Sequence, residues 1–229
     1  MSVSVRWLGH ACWEVRHGEQ SILIDPFLNE SPTAPCKAED LSPDLILITH
    51  GHFDHIADAA SIAIRTGSPV LACYEIATWL TQQHQVPNTI GMNLGGGIDL
   101  QWVRVKFVQA WHSSQLPDGS YGGNPGGFII ELADKRIYLA GDTALFSDMK
   151  LIGEEGLDVA ILPIGDNYTM GPSDSVRATK FLSPKQVIPC HFDTWPPIAQ
   201  DAQAWAHEIR SQTMAQPIVL APGESFQLN

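Results

Sequence analysis

Residues 49–55 (THGHFDH) place three histidines and one aspartate within six positions. The first of these histidines, His50, directly follows residues 45–49 (LILIT), a short apolar run typical of a strand that is buried on both faces. Neutral imidazole and carboxylate groups are the ligands that borderline divalent metals prefer. A single loop histidine usually has a structural role, but three at this spacing predict a metal site.

The elements that must position this segment are short apolar runs alternating with amphipathic ones. Strands are predicted at residues 3–8, 12–17, 20–25, 45–49, 69–72, 98–110, 126–132, 135–140, 158–163 and 186–190, followed by short strands at the chain end. Helices are predicted at residues 57–66, 75–84, 173–182 and 199–210. Apolar residues on one face of the last helix are Ala202, Trp205, Ala206 and Ile209.

This order of strands and strand–helix units occurs twice along the chain and predicts two similar halves of α/β class. Each half would be a mixed sheet covered by helices on one side. Two such sheets stack into a four-layer α/β/β/α sandwich, which gathers the strand–helix loops along one edge. No Ser/Pro-rich linker separates the halves, so residues 1–229 are interpreted as a single domain.

The spacing HxHxDH in residues 50–55 resembles the defining motif of the metallo-β-lactamase superfamily, whose fold the predicted strand order fits. The superfamily pattern implies three more ligands further along the chain. Candidates in the expected order are His112, Asp142 and His191, each at the end of a predicted strand. Taken alone, His112 would be a structural histidine and Asp142 a turn residue or helix cap.

The resemblance also assigns the ligands to two metal ions. It implies that the first ion is held by His50, His52 and His112. It implies that the second ion is held by Asp54, His55 and His191, with Asp142 bridging the two.

Other segments resemble a narrower group of small bacterial metal-dependent hydrolases. They are residues 7–11 (WLGHA), 22–28 (ILIDPFL), 162–165 (LPIG), 169–172 (TMGP) and 191–196 (HFDTWP). This group is similar to the L-ascorbate phosphate lactonases and, more distantly, to N-acyl-phosphatidylethanolamine phospholipases. The chain departs from the oxidoreductase branch, which has an acidic residue where His52 stands, and from the RNA-cleaving branch, which has a long inserted domain.

A centre of two divalent ions predicts hydrolysis. We expect zinc, with manganese, iron and nickel as alternatives. Bound zinc lowers the pKa of a water molecule to about 7. The resulting hydroxide, which Asp54 helps to position, would attack a small ester, lactone, amide or phosphodiester. Two divalent ions, two aspartates and one hydroxide leave roughly one positive charge at the site, which favours an anionic substrate.

Residues beside the ligands are candidates for orienting them or contacting substrate. Asp25 is expected to accept a hydrogen bond from the metal loop, or to cap its strand before Pro26. Thr49 and Thr143 flank ligands and are expected to support them. His10 is expected either to act in catalysis as a proton shuttle or to be structural. Candidates for substrate contact, or for ordinary loop polarity, are Asn167 and Tyr168.

The loop at residues 117–127 (PDGSYGGNPGG) has five glycines and two prolines. Two interpretations stay open: a surface connection between strands, or a mobile flap over the site.

Composition narrows the choice of partners. A formal net charge of -12 disfavours nucleic acid and anionic membrane surfaces. The four cysteines form no CxxC pair and the chain start does not resemble a secretory signal, so a reduced, cytoplasmic protein is expected. A small-molecule substrate is predicted, and a homo-oligomer is compatible with the sequence. The alternatives are a phosphodiesterase or nuclease of the same fold, and a non-catalytic metal or ligand sensor.

Overall fold

A computed structural model describes residues 2–228, and its strands belong to two sheets of seven. The strands in chain order are β1 (Val3–Trp7), β2 (Trp13–His17), β3 (Gln20–Ile24), β4 (Leu45–Leu47), β5 (Val70–Cys73), β6 (Thr89–Met92), β7 (Gly97–Asp99), β8 (Val103–Gln109), β9 (Gly126–Leu132), β10 (Lys135–Leu139), β11 (Val159–Pro163), β12 (Gln186–Cys190), β13 (Gln216–Pro217) and β14 (Ser225–Leu228).

The two sheets have the same pattern of strand pairing. The first sheet has the order β14-β1-β2-β3-β4-β5-β6, antiparallel as far as β3 and parallel from there on. The second has the order β7-β8-β9-β10-β11-β12-β13, antiparallel as far as β10 and then parallel. Ligands of open α/β sheets bind at the carboxyl ends of parallel strands, and a predicted metal ligand follows the end of each of β4, β10 and β12 within three residues.

Helices flank the sheets and complete the expected four-layer arrangement, so the predicted fold class is confirmed. They are α1 (Phe53–Ile56), α2 (Ala59–Thr66), α3 (Tyr74–His84), α4 (Met149–Gly153), α5 (Pro172–Leu182) and α6 (Ala202–Gln212). The predicted apolar face of α6 is buried. Its Trp205 donates a hydrogen bond to the hydroxyl of Ser175 on α5 at 3.2 Å, which ties the two outer helices together.

The structure corrects several predicted elements. The single strand predicted at residues 98–110 is wrong, because β7 and β8 form a hairpin there. Its turn places Gln101 at a φ of 70°, and Leu100 donates to the carbonyl of Val103. No glycine or proline marks this turn, so the apolar pattern runs through it. β6, α1 and α4 were not predicted because each has only four or five residues, too few to show a period.

The core lies between and around the sheets, where Trp13, Phe107, Phe128, Tyr138 and Trp205 are almost fully buried. All four cysteines are free thiols. Within residues 2–228, every helix is too short or too polar to cross a lipid bilayer.

Candidate metal centre

The metal loop is fixed to the end of the neighbouring strand. Asp25 follows β3, and its carboxylate accepts hydrogen bonds from the backbone N–H of Thr49 at 2.8 Å and from the Thr49 hydroxyl at 2.6 Å. The ends of the adjacent parallel strands β3 and β4 are thereby joined just before His50. Because α1 begins directly after His52, residues 50–55 fold back on themselves instead of leaving the sheet edge.

Three residues of the centre have left-handed backbone conformations: His10, Asp25 and His191, with φ of 49°, 46° and 53°. Non-glycine residues rarely adopt this conformation, and it concentrates at functional sites. The backbone N–H of His191 donates to the carbonyl of His10 at 3.0 Å. This hydrogen bond therefore connects the turn after β1, in the first sheet, to the end of β12, in the second sheet.

The first predicted ligand group is brought together. Nε2 of His50 lies 3.0 Å from Nδ1 of His52, and Nε2 of His112 lies 3.3 Å from the same Nδ1 atom. Ligand atoms of these three residues all lie within 4.8 Å of one another, close enough to bind one ion. His50 is buried, whereas His52 and His112 are half-buried and form the more open side of the centre.

The second predicted group is also brought together. Ligand atoms of Asp54, His55 and His191 lie within 4.8 Å of one another, and His10 joins the same cluster. His10, His55 and His191 are buried, and the side chain of Asp54 is 13% exposed. This group therefore lies deeper in the fold than the first.

Asp142 lies between the two groups. Its Oδ2 atom is 3.1 Å from Nε2 of His191 and 3.4 Å from Nε2 of His55 in the second group. The same oxygen is 3.6 Å from Nε2 of His112 and 3.9 Å from Nε2 of His50 in the first. One carboxylate oxygen thus faces imidazoles of both groups.

Chemistry and unpaired atoms together test whether these residues fit a metal. Within residues 2–228, the buried atoms without a hydrogen-bond partner include Nε2 of His55, both ring nitrogens of His191 and Oδ1 of Asp142. Leaving a buried polar atom unpaired costs about 1–3 kcal/mol. A divalent cation accepts lone pairs from imidazole and carboxylate, so this donor set fits divalent metal binding.

Electrostatics prepare the first group for a cation. Burial lowers the pKa of His50 well below its ordinary value, and burial also lowers the pKa of His52 and of His112. Desolvation disfavours the charged imidazolium form. These three side chains therefore present neutral rings, the form that binds metals.

The second group is electrostatically different. Burial acts to lower the pKa of His191, but the Asp142 carboxylate outweighs it and raises that pKa to about 9. Asp142 likewise raises the pKa of His55 well above its ordinary value against the effect of burial. Burial acts to raise the pKa of Asp142, but the charge of His191 holds it well below the ordinary range. In the metal-free protein protons occupy this group, and a metal ion must displace them.

Asp25 orients two ligands. Its Oδ2 atom lies 2.8 Å from Nδ1 of His55, which places the proton on Nδ1 and leaves Nε2 facing the centre. The Thr49 hydroxyl, which donates to Asp25, lies 3.0 Å from Nδ1 of His50 and accepts a hydrogen bond from the N–H at that atom. A carboxylate that fixes ring orientation in this way is a recurrent partner of metal-binding histidine.

His10 is held between two polar side chains. Its Nε2 lies 3.0 Å from Oδ2 of Asp54 and its Nδ1 lies 2.7 Å from the hydroxyl of Thr194. Since Asp54 only accepts, Nε2 carries the proton, and the Thr194 hydroxyl donates to Nδ1. Burial is the main reason why the pKa of His10 falls to about 4. Thr194 lies in the 191–196 segment, but no residue pattern there predicts its contact with His10.

Thr143 connects the ends of two strands that carry ligands. Its hydroxyl accepts a hydrogen bond from the backbone N–H of Trp111 at 2.9 Å. Thr143, which follows Asp142, thereby fixes the position of Trp111, which precedes His112. Asn167 and Tyr168 follow β11 and are exposed. In the described part of the chain neither side chain hydrogen-bonds to a metal-site residue, and their contact with substrate stays a prediction.

The glycine-rich loop at residues 117–127 is linked by hydrogen bonds to the metal loop through Ser114. No residue pattern in the sequence had predicted this role of Ser114. The Ser114 hydroxyl accepts from the backbone N–H of Gly51 at 3.0 Å and donates to the carbonyl of Gly122 at 2.9 Å. The Cys73 thiol donates to the same carbonyl at 3.0 Å. A cavity of about 320 Å³ between this loop and His112 opens beside the first ligand group. A role as a moving flap stays a prediction.

A larger groove of about 650 Å³ lies between α5 and α6. None of the metal-site residues lines it. We therefore place the chemistry at the smaller cavity, where the converging ligands are.

Known proteins match the chain along most of its length. Residues 4–191 match the family model of the β-lactamase superfamily domain. A UPF0173 metal-dependent hydrolase of Thermus thermophilus is 47% identical over 227 residues, which cover 99% of this chain and 100% of that protein. One from Thermococcus onnurineus is 47% identical over 229 residues, with the same coverage. A metallo hydrolase of Ignicoccus hospitalis has a similar structure, with a TM-score of 0.91 and 36% identity over 100% of this chain and 99% of that one.

Proposed function

The chain belongs to the β-lactamase superfamily and, within it, to the UPF0173 metal-dependent hydrolases, and we propose that it cleaves a small ester, lactone or phosphodiester at a centre of two divalent metal ions. That it is a metal-dependent hydrolase follows from the family. The number of ions, their identity and the bond that is cleaved are the content of the proposal.

The position of Asp142 is the observation that carries the two-metal proposal. Its Oδ2 atom lies within 4 Å of Nε2 atoms from both ligand groups. A carboxylate there offsets the repulsion between two cations a few ångströms apart. A single ion would leave one group of three ligands without a cation. If that ion occupied the first group, the nitrogens of His55 and His191 in the second group would stay unpaired.

Zinc is the proposed ion, with manganese, iron or nickel as alternatives, because the donors are five imidazoles and two carboxylates. When bound, two such ions would supply an activated water at neutral pH and polarise the substrate oxygen. The residues that would hold them are His50, His52 and His112 for one ion, Asp54, His55 and His191 for the other, and Asp142 for both.

Asp54 and His10 act together in this proposal. Asp54 is both a ligand and the carboxylate that accepts a hydrogen bond from Nε2 of His10. Thr194 donates to Nδ1 of His10 and so keeps the His10 proton on Nε2, toward Asp54. His10 is buried, so it would act through Asp54 as a positioning residue, while Asp54 stays at the reacting centre.

We propose a small-molecule substrate with an anionic group, in place of a polynucleotide or a membrane surface, in the cytoplasm. The net charge of -12 repels phosphate backbones over the surface as a whole, whereas bound ions would make the centre itself locally positive. The cavity beside His112 suits a small molecule.

The test combines metal content with turnover. Purified protein loaded with zinc or manganese is assayed for metal per chain and for hydrolysis of lactones, phosphodiesters and thioesters. We expect two ions per chain and turnover that is lost in His52→Ala. The matched control is His207→Ala, which removes an exposed histidine of α6 and should retain full activity.

Two outcomes would contradict the proposal. One ion per chain at saturating metal would eliminate the two-metal centre. Two tightly held ions without turnover of any of these substrate classes, combined with ligand binding, would favour the sensor alternative.

A further inference from the structure

Three aromatic rings form a cluster at one side of the metal centre. Ring centroids of Phe27 and Phe53 lie 5.7 Å apart, those of Phe27 and Trp195 lie 6.0 Å apart, and those of Phe53 and Trp195 lie 6.2 Å apart. These distances are typical of packed aromatic pairs. We call these three residues the aromatic wall.

The aromatic wall adjoins the second ligand group. The ring of Trp195 lies 4.9 Å from the ring of His10, and that of Phe27 lies 5.9 Å from it. His10 in turn contacts Asp54, which directly follows Phe53 in the chain. The wall is therefore one residue layer away from the proposed reacting atoms.

The wall has a buried base and an exposed edge. Phe27 is 1% exposed and anchors the cluster, whereas Phe53 is 51% exposed and Trp195 is partly exposed. Phe53 is the first residue of α1. About half of the accessible surface of Phe53 thus stays in contact with water beside the centre, and a ligand that covers the apolar part of it gains hydrophobic free energy.

Other exposed aromatic side chains occur near the ligands, but they are not packed in this way. Trp111, Tyr121 and Tyr168 are each about 60% exposed or more. In the described part of the chain, no aromatic ring packs against any of them. A ring held by two neighbours is preorganised for binding, whereas a single exposed ring must be ordered at the expense of affinity.

We infer that the aromatic wall is a subsite for the apolar part of the substrate, which is an ester or lactone with an aryl group a short spacer away from the bond that is cleaved. None of the three wall residues carries a charge, so the subsite selects for shape and apolar surface. The anionic or polar end of the substrate faces the metal ligands. This inference rests on the proposed function for the reaction, but binding at the wall can be measured without turnover.

The test uses phenylacetate and acetate, two carboxylates that differ by one phenyl group. Calorimetric titration of the metal-loaded protein should give a dissociation constant at least about tenfold lower for phenylacetate than for acetate. Phe53→Ala and Trp195→Ala should each reduce this ratio by about threefold or more, with the acetate constant and the metal content unchanged. Phe53→Leu should retain part of the preference, and Leu151→Ala, an exposed apolar residue on α4, should retain all of it.

Equal affinity for the two carboxylates in the wild-type protein would overturn the inference, and so would an undiminished preference in both alanine variants. Metal content shows whether each variant is folded. If phenylacetate is preferred in a wall-dependent way while no ester or lactone is cleaved, the subsite stands and the proposed reaction fails. If the methyl esters of phenylacetate and acetate are cleaved equally well and bound equally well, the reaction stands and the subsite fails.

Discussion

Oδ2 of Asp142 lies 3.1 Å from Nε2 of His191, although the two residues follow different strands, β10 and β12. The same oxygen faces His112, which belongs to the other ligand group. Gly141, just before Asp142, makes this approach possible. It has a φ of 62°, and a Cβ atom there would lie 2.9 Å from Thr49 Cβ and from the carbonyl oxygen of Gly126.

Asp142→Asn should retain the fold, weaken the second metal ion most and lower turnover far more than substrate affinity. Asn preserves the size and one oxygen but removes the charge that offsets the two cations. We expect kcat to fall at least about a hundredfold. Metal per chain and the melting temperature are measured together, with exposed Asp134→Asn as the control. Two tightly held ions and near-normal turnover would eliminate the bridging role.

His191→Ala should empty the second ligand group while the first retains its ion. The imidazole belongs only to the group with Asp54 and His55, whereas His50, His52 and His112 have their own contacts. Elemental analysis should show about one ion per chain in the variant and two in the wild type. His84→Ala, at the end of α3, is a control outside the centre. Full occupancy in His191→Ala would show that the ligands are assigned wrongly.

Asp25→Asn should weaken metal binding, although Asp25 is not itself a predicted metal ligand. The change removes the carboxylate that orients His55 directly and His50 through Thr49. Loss of such a partner typically costs 10–100-fold in metal affinity, so we expect roughly that range. Competition with a chelator measures it. Asp44→Asn is the matched control, because Asp44 also accepts a hydrogen bond from a strand backbone, that of Ser21 at 2.8 Å. An equal loss in both variants would indicate a general effect on folding.

The metal-free protein should lose stability as pH rises from about 6.5 to 9. Against the effect of burial, Asp142 raises the pKa of His191 from 6.5 to about 9, so the folded state retains a proton that the unfolded chain releases. The His191 proton therefore makes its full contribution to the free energy of unfolding below pH 6.5. This contribution is lost as the pH rises through 9. His55, whose pKa is also raised, acts in the same direction.

Urea unfolding of chelator-treated protein across this pH range measures the effect. His191→Gln should flatten the profile, and so should saturating metal, because a bound imidazole holds no proton at its ligand nitrogen. A wild-type profile that is flat without metal would contradict the prediction.

Much of the site could be predicted from residue types and spacing. The HxHxDH motif begins three residues after the end of β4, and the predicted bounds of β9 and β12 match those of the structure. The ends of β10 and β12 lead into Asp142 and His191 as expected. These features were readable because each depends on a local pattern, namely an apolar run that ends at a polar residue.

Contacts between distant segments could not be read in this way. Thr194 holds His10, and Ser114 holds Gly51, through single hydroxyl groups that resemble ordinary loop polarity in the sequence. Phe53 received no predicted role, since nothing in its sequence neighbourhood reveals that Phe27 and Trp195 pack against it. Such partners depend on how the two sheets meet, which the periodicity of one strand does not encode.

The hydrogen bond from Thr194 to His10 joins residues 184 positions apart and sets the order in which the centre can form during synthesis. A ribosome adds about 5–20 residues per second, so HxHxDH leaves the exit tunnel many seconds before His191. Until then, His10 has no Thr194 to fix its tautomer, and the second group has no third ligand. A nascent chain that ends before His191 can therefore offer a full set of three donors only at the first group, through His50, His52 and His112. The second group is complete only once β12 and the residues after it have been added.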